Sequence, residues 1–135
     1  MASNYNVGLE QIAAAYATMT KQGVPAQKAT TFLRAVFTEL EKESSDVAEI
    51  LEEKTGKSFA QLMKEGNSLS DVLRILYNHV GGNAEEFQRL FGNVRATQAV
   101  ASLVTNDFKI LDYESDRVTH SAGQTDKALE VMETT

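Results

Sequence analysis

The stretch PAQKATTFLRAVFTELEK, residues 25–42, decides the fold. Ala29, Phe32, Leu33, Val36, Phe37 and Leu40 recur at intervals of three and four, which stacks them on one side of an α-helix. The stripe is broad enough to face a core. Pro25 stands where the first turn of a helix tolerates proline. Two residues earlier, Gly23 suits the left-handed end of a preceding helix. Gly23-Val24-Pro25 therefore predicts a tight corner. The helix before it runs from roughly Leu9 to Gln22, with Leu9, Ile12, Tyr16 and Met19 at helical spacing.

Working toward the C-terminus, the same grammar repeats. Ser44 or Ser45 caps a third helix whose buried side is Val47, Ile50 and Leu51, and which ends at Lys54-Thr55-Gly56. Ser58 and Gln61 form the pattern of a capping box ahead of Phe59, Leu62 and Met63. Ser68 caps a helix striped by Leu69, Val72, Leu73, Leu76 and Val80, and Gly81-Gly82 stops it. Asn83 and Glu86 suggest a second capping box before Phe87, Leu90 and Phe91, and Gly92-Asn93 ends that segment. No strand pattern and no short repeat occurs.

The last third has a different rhythm. Val94, Thr97, Ala101, Val104, Phe108, Leu111, Ser115, Val118, Ala122, Thr125, Leu129 and Met132 alternate spacings of three and four. This predicts one long C-terminal helix of about 40 residues, about 60 Å in length. Two helices breaking near Asn106-Asp107 or at Gly123 are the alternative. Val104, Phe108, Leu111, Val118, Leu129 and Met132 are the candidate self-association seam, a shallow one because Thr, Ser and Ala fill its other positions. The expected class is all-α: a compact module of short helices over residues 1–92, then a long helix over 93–135 packing on it or extending from it, a single domain overall.

Composition agrees. Of 135 residues, 42% are hydrophobic, which is enough for a core and too much for a disordered chain. A single proline argues against a β-sandwich with its many tight turns. The absence of cysteine excludes disulfides and thiolate zinc sites. No apolar run is long enough to span a bilayer, and Met1-Ala2-Ser3-Asn4 lacks the pattern of a signal peptide. A cytosolic origin is expected. The formal charge of −6 spreads 13 basic residues singly among 19 acids. Phosphate binding needs a basic face, so specific nucleic-acid binding is not expected.

The inventory for catalysis is sparse. His79 and His120 each lack the i, i+4 partner of a helical zinc site, and His79 suits a helix C-terminus, where it complements the dipole. There is no G-x-S-x-G elbow. Paired carboxylates can cleave glycans, but Glu39, Glu41 and Glu43, like Glu49, Glu52 and Glu53, fall on helix faces expected to be exposed. Asp107, Asp112, Glu114 and Asp116 lack the order and glycine of an EF-hand loop and read as an acidic helix face. No catalytic residue, cofactor or metal is expected.

Three stretches, in order, carry a resemblance. They are Gly23-Val24-Pro25-Ala26-Gln27-Lys28-Ala29 through Leu33-Arg34 with Phe37 and Leu40; Leu90-Phe91-Gly92-Asn93-Val94-Arg95-Ala96; and Ser121-Ala122-Gly123-Gln124-Thr125-Asp126-Lys127-Ala128. Together they resemble the core region of tape-measure proteins from long-tailed phages and prophages, over about Leu9 to Met132. The resemblance implies a structural role: a long helical chain inside the tail that sets its length and templates the tail tube. Implied partners are the tail tube protein and tail assembly chaperones, with a homo-oligomer through the C-terminal helix as a further expectation. Implied locations are the host cytoplasm during assembly and then the tail interior of the virion. A tape measure is far longer than this chain, so a fragment, an excised domain or a degenerate prophage copy is expected. The competing expectations are a helical protein–protein interaction module, favoured if Phe87, Phe91 or the Val100–Leu111 stretch is exposed, and a wall-degrading enzyme.

Overall fold

The computed structural model describes residues 8–119. Eight helices and no strand form among the described residues. They are α1 (Leu9–Lys21), α2 (Ala26–Glu41), α3 (Asp46–Thr55), α4 (Phe59–Lys64), α5 (Leu69–His79), α6 (Ala84–Arg89), α7 (Val94–Leu103) and α8, which covers 109–119.

The short helices start where the sequence supplies caps. The Ser45 hydroxyl accepts from the Ala48 amide, Ser58 from Gln61, and the Asn83 side-chain oxygen from Glu86. The predicted reciprocal box closes at a different place. Ser68 accepts from the Asp71 amide, and the Asp71 carboxylate accepts from the Ser68 amide, both at 3.0 Å. Asn93 caps α7 through the Arg95 and Ala96 amides. Each cap satisfies an N–H that the helix itself leaves open, worth about 1 kcal/mol.

The corner before α2 forms as expected. Gly23 sits at φ +94°, and the Val24 amide reaches back to the Met19 carbonyl at 3.1 Å. At the end of α5, Gly81 and Gly82 are both left-handed, at φ +67° and +78°. A Cβ on Gly82 would meet the Tyr77 ring at an ordinary 3.6 Å, so backbone conformation, not space, calls for glycine there.

One core joins all of these helices. Helix α7 packs most extensively on α2, with α1 against both. The face of α1 that enters this contact is Ala14, Ala15, Thr18 and Met19. It overlaps the predicted stripe only in part: Met19 is buried and Ile12 packs on the core, but Leu9 is 73% exposed and Tyr16 lies at the surface. Ala29 of α2 and Ala96 and Ala99 of α7 are likewise fully buried. Small side chains allow helix axes to approach closely. A second layer is aromatic. Phe87 stands edge-to-face with Tyr77, Phe91 and Phe108 at 5.6, 5.7 and 5.8 Å between ring centroids. Tyr77 meets Phe108 the same way at 5.4 Å. Such pairs each add about 0.5–1.5 kcal/mol beyond burial.

The long C-terminal helix is not what forms. Helix α7 stops at Leu103, and residues 104–108 make a turn before α8. Asn106, Asp107 and Phe108 are all left-handed, at φ +58°, +57° and +64°. This is the break that the sequence left as an alternative near Asn106-Asp107; Gly123 lies outside the described residues. A left-handed residue costs about 1–2 kcal/mol, least for Asn and Asp. Phe108 is the outlier, and its complete burial, worth about 1.5–3 kcal/mol, offsets it. A straight rod would carry Phe108 and Leu111 away from the core, and that loss outweighs the strain.

Phe87→Ala should therefore lower unfolding free energy by about 3–5 kcal/mol. Val94→Ala, at a side chain 74% exposed, should change it by less than about 0.5 kcal/mol. Urea titrations followed by circular dichroism measure both, and equal effects would contradict the aromatic layer.

Candidate functional site

The polar side chains that matter most in this fold converge on α8 and the turn that leads into it. Arg74, on α5, stands at the centre. Its guanidinium donates to the Asp107 carbonyl at 3.1 Å and to the Asp112 carboxylate at 2.6 Å. It also lies 5.1 Å from the centroid of the Phe108 ring, and its Nε donates to the Ser70 hydroxyl at 3.3 Å. One planar cation thus holds the left-handed turn by a backbone oxygen, a carboxylate and an aromatic face.

Glu114, further along α8, is fully buried. Its carboxylate accepts from Lys21 of α1 and from Arg117 of its own helix, the latter at 3.0 Å. Burial raises its pKa, but the hydrogen bonds from Lys21 and Arg117 and the charge of both outweigh burial and hold it below the ordinary 4.5. A third tie comes from Gln11. Its amide nitrogen donates to the Ser115 hydroxyl at 3.2 Å, and its amide oxygen caps α5 by accepting from the Leu69 amide at 2.8 Å.

The candidate seam is distributed by this geometry. Val104, Phe108 and Leu111 are buried within the chain, at 8%, 0% and 0% exposure, and Val118 is half-buried. Leu129 and Met132 lie outside the described residues, as do His120 and the stretch Ser121–Ala128. On α7 the buried positions are Ala96, Ala99, Val100, Ser102 and Leu103, a face beside the one that the heptad register picked out. Phe87, Phe91, Val100 and Leu111 are buried, so the exposed apolar surface that would favour a generic interaction module is not found at those positions.

Sequence reading missed Arg74, Glu114, Lys21 and Gln11. For Glu114 a signal existed: it lies three residues after Leu111 and four before Val118, as well placed in the apolar rhythm as Ser115. An acid at a core position asks for a buried cation partner. The acidic cluster is accordingly not one face. Asp112 pairs with Arg74, Glu114 is buried, and Asp107 is exposed in the turn.

The glutamates of the first half also divide. Glu43, Glu49, Glu52 and Glu53 are exposed or nearly so, as expected, whereas Glu39 and Glu41 are half-buried. Glu41, Glu43, Glu49 and Glu52 border an open groove of about 740 Å³ floored by Leu40 and Phe59. Among the described residues no cluster of His, Cys, Asp or Glu is arranged to hold a metal ion. His79 is exposed at the end of α5. No helix among the described residues is long and apolar enough to cross a membrane.

The fold and its ties thus define a helical module in which charged side chains fasten one helix onto an apolar core. Residues 1–105 match the family described as phage-related minor tail protein, so the chain belongs to that family and is a phage tail protein. No curated protein and no solved structure matches it.

Two measurements bear on the ties. Because Glu114 titrates below its unfolded value, its contribution to stability is complete above about pH 4.5 and disappears as the pH falls through its lowered folded value. Glu114→Gln should cost about 1–2 kcal/mol at pH 7, discounted because both cations are half exposed. Its unfolding midpoint should converge with that of the wild type in acid; parallel pH profiles would refute the pairing. Arg74→Ala should cost about 1–2 kcal/mol and speed amide exchange in 109–119 more than in α2. Uniform acceleration would show that Arg74 does not act on the turn.

Proposed function

We propose that the chain is a segment of a tape-measure protein, which sets the length of the phage tail and templates polymerisation of the tail tube around it. The family match over residues 1–105 supports a structural role in the phage tail, the coarser half of this reading. The ordered resemblance through Gly23–Leu40 and Leu90–Ala96 adds to it. The fold is compatible with such a role. Helices α4 and α6 have six residues each, far below the length that is stable alone, so the module holds its shape only through tertiary packing. A chain that must later leave a narrow tube gains from elements that unravel separately.

In this reading the partners are the tail tube protein and the assembly chaperones. The chain works in the host cytoplasm during assembly and ends in the tail interior. It has no catalytic role and no specific nucleic-acid partner.

Duplicating codons 1–119, which include Phe108 and α8, within the tail gene that encodes this segment tests the reading. As continuous helix the insert spans about 180 Å at roughly 1.5 Å per residue. Electron micrographs should show tails lengthened by up to that amount. Tails of unchanged length would end the length-setting reading while leaving family membership intact.

A further inference from the structure

We propose that α8 is an exchangeable helix: two copies of this chain trade Phe108 and residues 109–119 across a hinge at 104–107 and form a reciprocal dimer. This goes beyond the tail-length reading and does not depend on it.

Three observations lead there. The first is the hinge. Five residues separate α7 from α8, and three consecutive ones, none of them glycine, are left-handed. Straightening 104–108 into right-handed helix removes that strain and fuses α7 and α8. Short hinges under strain favour exchange of the element they carry.

The second is the sequence rhythm. The spacing of three and four runs without interruption through Val104, Phe108, Leu111, Ser115 and Val118. No proline or glycine falls between Val94 and Thr119. The stretch is therefore as well suited to a single helix as to two.

The third is the docking site. The ties that hold α8 to the rest of the fold come from side chains earlier in the chain: Gln11 to Ser115, Lys21 to Glu114, and Arg74 to Asp112 and the Phe108 ring. Tyr77 and Phe87 receive Phe108 from the same side of the hinge. A second copy offers the identical set. Exchange preserves all of these contacts and gives up only hinge-specific ones, chiefly the Arg74 bond to the Asp107 carbonyl. In the closed chain Val104, Phe108 and Leu111 serve the chain's own core; in the exchanged dimer Phe108 and Leu111 serve a partner's.

Charge reversal across the Lys21–Glu114 pair separates the two arrangements. Lys21→Glu puts two acids together in a closed chain, and Glu114→Lys puts two bases together. In an exchanged heterodimer of the two variants, the introduced acid at position 21 faces the introduced base at position 114 at one site. At the other site the native Lys21 faces the native Glu114. The variants, mixed in urea and refolded together, should give a heterodimer by native mass spectrometry. It should melt above either variant alone and exceed the homodimers by at least about tenfold, which corresponds to about 1.4 kcal/mol. If each variant alone fails to fold, recovery of folding on mixing supports exchange equally well. A mixture that stays monomeric, or melts like its components, overturns the proposal.

Hinge variants give an independent reading. Asn106→Ala with Asp107→Ala penalises the left-handed turn and favours helix, so the dimer should tighten by about tenfold or more in sedimentation equilibrium. Asn106→Gly should move the equilibrium toward monomer. A dimer indifferent to both changes would be a surface association without exchange and would also overturn it.

Discussion

The close packing of α7 on α2, with α1 against both, is the constraint on which the rest of the molecule depends. Neither helix is long: α2 has 16 residues and α7 has 10. Isolated helices of that length are marginal in water. Their stability comes from faces that fit, and the fit rests on alanines. Ala14, Ala15, Ala29, Ala96 and Ala99 let three backbones approach, so the larger Leu33, Val36, Phe37, Val100 and Leu103 can fill the space around them. Because α7 comes from the second half of the chain and α1 and α2 from the first, this contact closes the whole module. Helices α3 to α6 then line the remaining side, each too short to persist without it.

Charge plays a narrower part. Most acids are solvated, which suits a chain with net charge −6. Three of the described acids also hold the structure. Asp71 completes a cap, Asp112 meets Arg74, and Glu114 is buried between Lys21 and Arg117. Removing one partner of a buried charge leaves the other uncompensated, which makes such a pair costly to break even where its net gain is small. The ties on α8 therefore fix where that helix sits more than they add to stability. The apolar burial of Phe108 and Leu111 supplies the larger share.

Much of the fold was legible in the sequence, and the reasons are specific. The boundaries of α1 to α6 and the start of α7 follow glycine, proline and capping side chains, whose effects are local. The face of α2 was legible because its large residues are also its buried ones. The face of α1 was legible only in part: Met19 and Ile12 turn inward as their spacing predicts, but Leu9 and Tyr16 point outward and Ala14 and Ala15 take the core positions. A stripe of small residues carries no hydrophobic signal, although it can mark the tightest contact. The C-terminal third misled for a related reason. A regular apolar rhythm fits a straight helix or two helices folded against each other's neighbours, and only long-range contacts choose between them. Those contacts come from Gln11, Lys21 and Arg74, between 38 and 104 positions away. No local pattern announces them.

The position of the turn has a further consequence. The family match ends at residue 105, one residue before the left-handed run begins. The aromatic layer, however, is completed from beyond that point, since Phe108 packs on both Tyr77 and Phe87. A module cut at Thr105 would leave those two rings open on one side. Edge-to-face contacts of this kind are lost outright when one ring is removed, because nothing of similar shape remains to fill the gap. The matched region is thus not self-sufficient in this chain: it requires a following segment that brings an apolar side chain back onto α5 and α6. The left-handed turn is how this sequence delivers one within three residues of the end of the match. Its strain follows from that short distance, because a longer connection could reverse direction without forcing a phenylalanine to positive φ. Here the need to cover the core fixes the conformation of the turn, and that conformation decides that the C-terminal rhythm is read as two helices instead of one.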